Sequence, residues 1–174
     1  MGLAPGHRSG RDSAPSARQQ TTHYNPYARI YYACMPYTYT YTLEAEVSPD
    51  AVWGLYEDVT TWPSWDAEAE EITRDGPFAA GTTGTMKFKG QDPLHYRLAK
   101  VEPKREWVDE TPVGEIVVRV SHRLDPLPDG KLQMTYYAEI DGPEEQTHQI
   151  GPQITADFPR TMASLVARAK ERES

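Results

Sequence analysis

Residues 114–124 and 131–140 alternate apolar with polar side chains, and on each apolar face one position carries a group that can do chemistry. His122 shares its face with Ile116, Val118, Val120 and Leu124, while Tyr136 shares one with Leu132, Met134, Ala138 and Ile140. A neutral imidazole in an apolar wall can take a proton from a carbon beside a carbonyl, because its ordinary pKa lies near working pH. A phenol on the neighbouring strand can polarise that carbonyl. His122 and Tyr136 are therefore the candidate catalytic pair, and the matching chemistry is proton transfer at a carbon beside a polarised carbonyl, which needs no cofactor. Each residue also has a structural alternative: a core histidine satisfied by a neighbouring hydroxyl, and an ordinary packed tyrosine.

A ligand for such a pair needs a wall. Tyr37, Tyr39 and Tyr41 line one face of an alternating run, and could offer flat aromatic surface with hydroxyls for ligand oxygens. Trp62 and Trp65 flank Pro63 on a bent connector, where they would either anchor the core or line a pocket mouth. Asp66, next to Trp65, could orient a polar group there. From the strands, Met86, Phe88, Tyr96, Trp107, Val120 and Met134 are the inward candidates, and Phe158 and Met162 are those of the last helix. The register of residues 94–102 is ambiguous. Leu94, Tyr96 and Leu98 form the more apolar set, yet Ala99 and Val101 favour the opposite parity, which would turn Arg97 inward as an oxyanion donor.

Other chemistries find no support. The five histidines are scattered and the single cysteine is Cys34, so no metal site is expected. The phosphate-loop and dinucleotide spacings are missing, as is the nucleophile elbow.

The elements that must position these residues can be read from periodicity. Residues 1–35 lack it and form the expected disordered N-terminal extension, leaving residues 36–174 as one domain; Met35 could be the working start. Tyr37 to Val47 alternates as a half-buried strand. Ser48, Pro49 and Asp50 read as cap, first turn and dipole partner of a helix carrying Val52, Trp53, Tyr56 and Val59. Strands are expected at 67–74, 82–90, 94–102, 105–110, 114–124 and 131–140, with a turn at Pro128-Asp129-Gly130. Ile154, Phe158, Met162, Leu165 and Ala169 give one helical stripe, with Pro159 forcing a kink or a fresh start capped by Asp157. Six consecutive strands form a meander too long to stay flat, and the last helix must cover its concave face.

Several motifs lie along this framework: Val47-Ser48-Pro49-Asp50-Ala51-Val52-Trp53, Asp58-Val59, Trp62-Pro63-Ser64-Trp65, Gly76 and Gly81, Val101-Glu102-Pro103, Asp109-Glu110-Thr111, and Asp141-Gly142-Pro143. Through them the chain resembles the polyketide cyclase/dehydrase group of the START/Bet v 1-like (SRPBCC) superfamily over residues 36–172. The resemblance implies an α+β helix-grip fold, in which a curved seven-stranded antiparallel sheet wraps a long C-terminal helix around a cavity. It also implies a hydrophobic, oxygenated small-molecule ligand of polyketide, aromatic or lipid-like type. The protein would then be a cyclase/dehydratase or, alternatively, a non-catalytic carrier or sensor; an adaptor docking through its acidic face is a third reading.

The net charge is −8, and the first 36 residues, with four arginines and one aspartate, carry +3, which leaves −11 on the rest. That argues against nucleic acid and anionic membranes as partners, the lack of an 18-residue apolar run argues against stable membrane insertion, and the lone cysteine fits a cytoplasmic location. The working state is expected to be a monomer or homodimer.

Overall fold

A computed structural model describes residues 36–174. The expected extension at 1–35, with Cys34 and Met35, lies outside the described residues. The first strand among the described residues is β1 (Tyr37–Ala45), whose tyrosines are half-buried on one face while its threonines and Glu44 face solvent. Helix α1 (Pro49–Glu57) starts where the sequence places it: the Ser48 hydroxyl accepts the Ala51 N–H at 3.1 Å, with Pro49 in the first turn.

Val59 does not continue that helix. Residues Val59–Ser64 form a short 3-10 segment that accommodates Pro63. Two side chains fasten it to the end of α1, where carbonyls lack helical partners. Trp62 Nε1 donates to the Tyr56 carbonyl at 3.0 Å, and the Thr61 hydroxyl donates to that of Leu55 at 2.9 Å. The bent connector is thus held in place by the polar edge of a tryptophan whose ring is buried.

The sheet continues through β2 (Ala69–Arg74), β3 (Thr83–Phe88), β4 (Leu94–Glu102), β5 (Glu106–Val113), β6 (Ile116–Pro126) and β7 (Leu132–Asp141). The spatial order is β1-β7-β6-β5-β4-β3-β2, antiparallel throughout, so β2 to β7 form the expected meander and β1 closes its far edge. A register shift between Leu98 and Lys100 explains the mixed parity of β4. Before the bulge Tyr96 and Leu98 are buried and Arg97 is exposed; after it Val101 packs on the core. Arg97 pairs with Glu110 on the outer face at 2.9 Å, so it is not an inward oxyanion donor.

The C-terminal end departs from a single helix. Helix α2 (Glu144–Thr155) precedes α3 (Phe158–Glu173), and the chain breaks at Ala156–Asp157. Asp157 holds the N-cap position of α3 without a side-chain capping bond. Pro159 in the first turn of α3 supplies the break, because its ring cannot follow a preceding helical turn. The low apolar content of residues 144–153, interrupted by Gly151 and Pro152, hides α2 from a periodicity reading. Phe158, Met162, Leu165 and Ala169 bury the inner stripe of α3, which packs against α1 and β1. Helix α2 sits on β1 through Gly151, where an added Cβ would come within 2.4 Å of the Tyr37 ring.

Candidate functional site

Between the concave face, the Trp62–Trp65 connector and the α2–α3 break lies a cavity of about 460 Å³. Strand alternation decides who reaches it. From β5, Trp107, Asp109, Thr111 and Val113 share the inner face; from β6, Val118, Val120 and His122 do; from β7, Tyr136 does. The register sets Trp107 opposite His122 and His122 opposite Tyr136, so three rings stand on adjacent strands.

His122 is held on three sides. Its ring stacks on Trp107 at 3.8 Å between centroids with planes 4° apart, and meets the edge of Tyr136 at 4.4 Å. Its Nε2 lies 3.1 Å from Asp109 Oδ1, one rung along on β5. The carboxylate accepts the Nε2 proton, which leaves Nδ1 as the basic nitrogen, and among the described residues Nδ1 is buried without a partner. Tyr136 accepts a hydrogen bond from the Tyr56 hydroxyl at 3.2 Å, so its own O–H remains to donate. Burial pushes both phenols well above the ordinary tyrosine pKa, and the neighbouring Tyr56 adds to the effect on Tyr136. Both remain neutral hydrogen-bonding groups at physiological pH.

Acidic groups gather on the same wall. Asp66 and Glu68 come from the segment entering β2, Asp157 from the α2–α3 break and Arg160 from α3. Arg160 donates to Glu68 at 2.7 Å, tying α3 to that segment. Burial raises the pKa of Asp66, against N–H bonds from Glu68 and Ala69 that lower it. Burial also raises that of Asp157, and the charge of Asp66 raises it further. Among the described residues, no group of three or more His, Cys, Asp and Glu side chains is placed to hold a metal ion.

Of the residues singled out in the sequence, His122, Tyr136, Trp62, Trp65, Met86, Phe88, Trp107, Val120 and Phe158 are on the cavity wall, as is Asp66. Six others are not, among them Tyr37, which packs against α2. Met134 and Met162 are fully buried in the core, where sheet and α3 meet directly. Tyr39 packs edge-on against Phe158 at 5.9 Å, and Tyr41 rests half-buried on the core. Tyr96 lies over Gly84, within 2.6 Å of where a Cβ would stand, and its hydroxyl donates to the Thr73 carbonyl at 3.0 Å. The tyrosines of β1 thus serve the seam between sheet and terminal helices.

Sequence reasoning missed Asp109, Thr111, Tyr56 and Asp157 as members of the site. The first two were within reach, because they share parity with Trp107: Asp109 lay inside the expected strand, and ending that strand at residue 110 left out only Thr111. Tyr56 and Asp157 come together with the others only through tertiary packing.

The polyketide cyclase / dehydrase and lipid transport family model matches residues 36–170. No curated protein matches the sequence. Among solved structures, the chain is similar to norcoclaurine synthase from Thalictrum flavum, a point mutant in complex with a transition state analogue. The identity is 15%, over 80% of this chain and 98% of that one, with a TM-score of 0.66. It is also similar to the Zhui aromatase/cyclase from Streptomyces sp. R1128, at 10% identity over 80% and 96% of the two chains and a TM-score of 0.68. At these identities the likeness establishes the fold, while the family match covers most of the sequence. The chain belongs to the polyketide cyclase / dehydrase and lipid transport family, and its fold is the Bet v 1-like helix grip.

Proposed function

We propose that this family member binds a hydrophobic, oxygenated small molecule in its internal cavity and cyclises it with loss of water. The observation that carries the reading is the Asp109–His122–Tyr136 cluster set in the apolar wall of a 460 Å³ cavity. The volume lies in the range of ligand sites, which bury most of a small molecule behind apolar walls with a few fixed polar groups. In the reaction, His122 Nδ1 takes a proton from a carbon beside one carbonyl. The carbanion attacks a second carbonyl of the same molecule, whose developing oxyanion is stabilised by the Tyr136 O–H and takes the proton back from the imidazolium to become a hydroxyl. Loss of that hydroxyl with a neighbouring hydrogen gives the unsaturated ring and water. Asp109 holds the imidazole in the required tautomer, and the stacked Trp107 fixes its plane. The aromatase/cyclase among the fold neighbours supports the reaction class.

One feature favours the second reading, a non-catalytic carrier or sensor: Nδ1 itself is buried. The two are separated by supplying an aryl 1,5-diketone and following the cyclised product by chromatography. A catalyst converts it, and His122→Ala and Tyr136→Phe lower turnover by about 100-fold or more while affinity stays within about tenfold. Binding without product in the wild-type protein selects the carrier. Absence of binding by this and by any ligand retained in native mass spectrometry would refute both.

A further inference from the structure

The charges on the cavity wall do not balance. Four carboxylates line it, those of Asp66, Glu68, Asp109 and Asp157, against one guanidinium, that of Arg160. Two of the four have their own partners: Glu68 is bonded to Arg160, and Asp109 to His122. Asp66 and Asp157 have no ion pair among the described residues. They come from separate elements, the end of the Trp62–Trp65 connector and the α2–α3 break, and each is half-buried. Asp66 uses Oδ1 to accept the Glu68 N–H at 2.9 Å. Trp62 and Trp65, both 5% exposed, line the same cavity next to Asp66 in the chain.

An independent observation also points to a polar ligand. Thr111, only 3% exposed and on the inner face of β5, has a hydroxyl without a hydrogen-bond partner among the described residues. The indole N–H groups of Trp65 and Trp107, on the same wall, also lack one. Buried polar groups are rarely left in this condition, so a ligand with its own polar atoms would satisfy groups that the protein does not.

We propose that the ligand is an aromatic amine-bearing molecule: its ammonium lies between Asp66 and Asp157 near the Trp62 and Trp65 rings, and its oxygen atoms serve the orphaned donors. This rests on the reading of the cavity as a small-molecule site and adds the charge of what enters it. Burial and mutual repulsion penalise two ionised carboxylates, and an organic cation relieves both terms at once. An indole face attracts the same cation through its quadrupole. A metal ion would want more ligands than two carboxylates, and no third joins them among the described residues. An anionic ligand would meet the excess of negative charge.

The test is isothermal titration calorimetry of the full chain with three probes of matched shape: naphthylethylamine, naphthylethanol and naphthylacetate. The amine is expected to bind about tenfold or more tighter than the alcohol, and the carboxylate weaker than both. In the Asp66→Asn/Asp157→Asn variant the amine's advantage falls to about parity, while the alcohol's affinity, which reports an intact cavity, is unchanged. The advantage of the amine should grow as pH rises through the carboxylate range, where Asp66, Asp157 and Glu68 ionise beside the permanently charged Arg160. Equal affinities for amine and alcohol, or an advantage that survives in the double variant, overturn the inference but leave the cavity reading in place. Failure of all three probes to bind overturns both.

Discussion

Asp66 and Asp157 carry a penalty that can be read as stability. A carboxyl whose pKa is higher in the folded than in the unfolded chain binds more protons when folded. Stability therefore falls as pH rises from the unfolded value, near about 4, through the folded one. At pH 7 the penalty is present, and below the unfolded value it is gone. Asp66→Asn removes the charge and keeps an oxygen for the Glu68 N–H. It should raise the melting temperature at pH 7 by about 2–4 °C for each kcal/mol relieved, with the gain shrinking toward pH 4. A variant less stable than wild type at pH 7 would show that the carboxylate is structural. A measured gain would be the signature of a residue kept for binding rather than for the fold, since functional sites hold groups that the fold alone would discard. Asp109 is of the other kind, because its partner is an imidazole of the protein itself.

At the scale of elements, the seat of α2 on β1 decides how the cavity is closed. Ile150, Gln153 and Ile154 of α2 contribute to the wall, and Gly151 lets the helix approach the Tyr37 ring. Tyr37 also meets His148 edge-on at 6.1 Å and reaches the Thr155 hydroxyl at 3.4 Å, so one tyrosine holds the helix along its length. Gly151→Ala tests this with an unambiguous sign. In an ordinary helix the change stabilises by up to about 1 kcal/mol. Here the new methyl meets the ring, and an overpacking cost of about 1–3 kcal/mol is expected instead. Hydrogen exchange should quicken in residues 144–155 while β5 to β7 keep their protection. A stabilised variant with unchanged exchange would mean that the contact relaxes freely.

At the scale of the whole molecule, one sheet does two jobs. Its outer face is charged and cross-linked: Glu110 bonds both Arg97 and Arg119, and Arg119 also reaches Asp141. Its inner face is divided. One part, with Leu132, Met134 and Ile140, is fully buried in the solid core, and the other, with Val113, Val118 and Val120, borders the cavity. Val120→Phe should therefore find room where an added ring elsewhere in the core would not. The expected result is a melting temperature equal to or above wild type together with a loss of ligand affinity of more than about tenfold. Circular dichroism melts and calorimetry with naphthylethanol measure the two quantities. Unchanged affinity would place the ligand outside this cavity.

Alternation located β1, β6 and β7, because in a half-buried strand the side-chain period of two is imposed by the pleat, while Gly- and Pro-containing turns bounded the less regular strands between. Ser48-Pro49-Asp50 likewise marked the start of α1 by local hydrogen-bonding chemistry. His122 and Tyr136 could be singled out for the same reason, as polar groups at inward parity. Only the folded chain decided which inward residues meet a neighbour and which face a space. Met134 and Met162 share the pattern of Val120 and Phe158 yet lie in solid core, because sheet curvature and the α2–α3 break set the gap between layers, and neither is encoded in any local period. Partnerships across the molecule were equally hidden: Tyr56 with Tyr136, 80 residues apart, and Asp66 beside Asp157 arise from closure of the grip, a long-range event that no window of sequence contains.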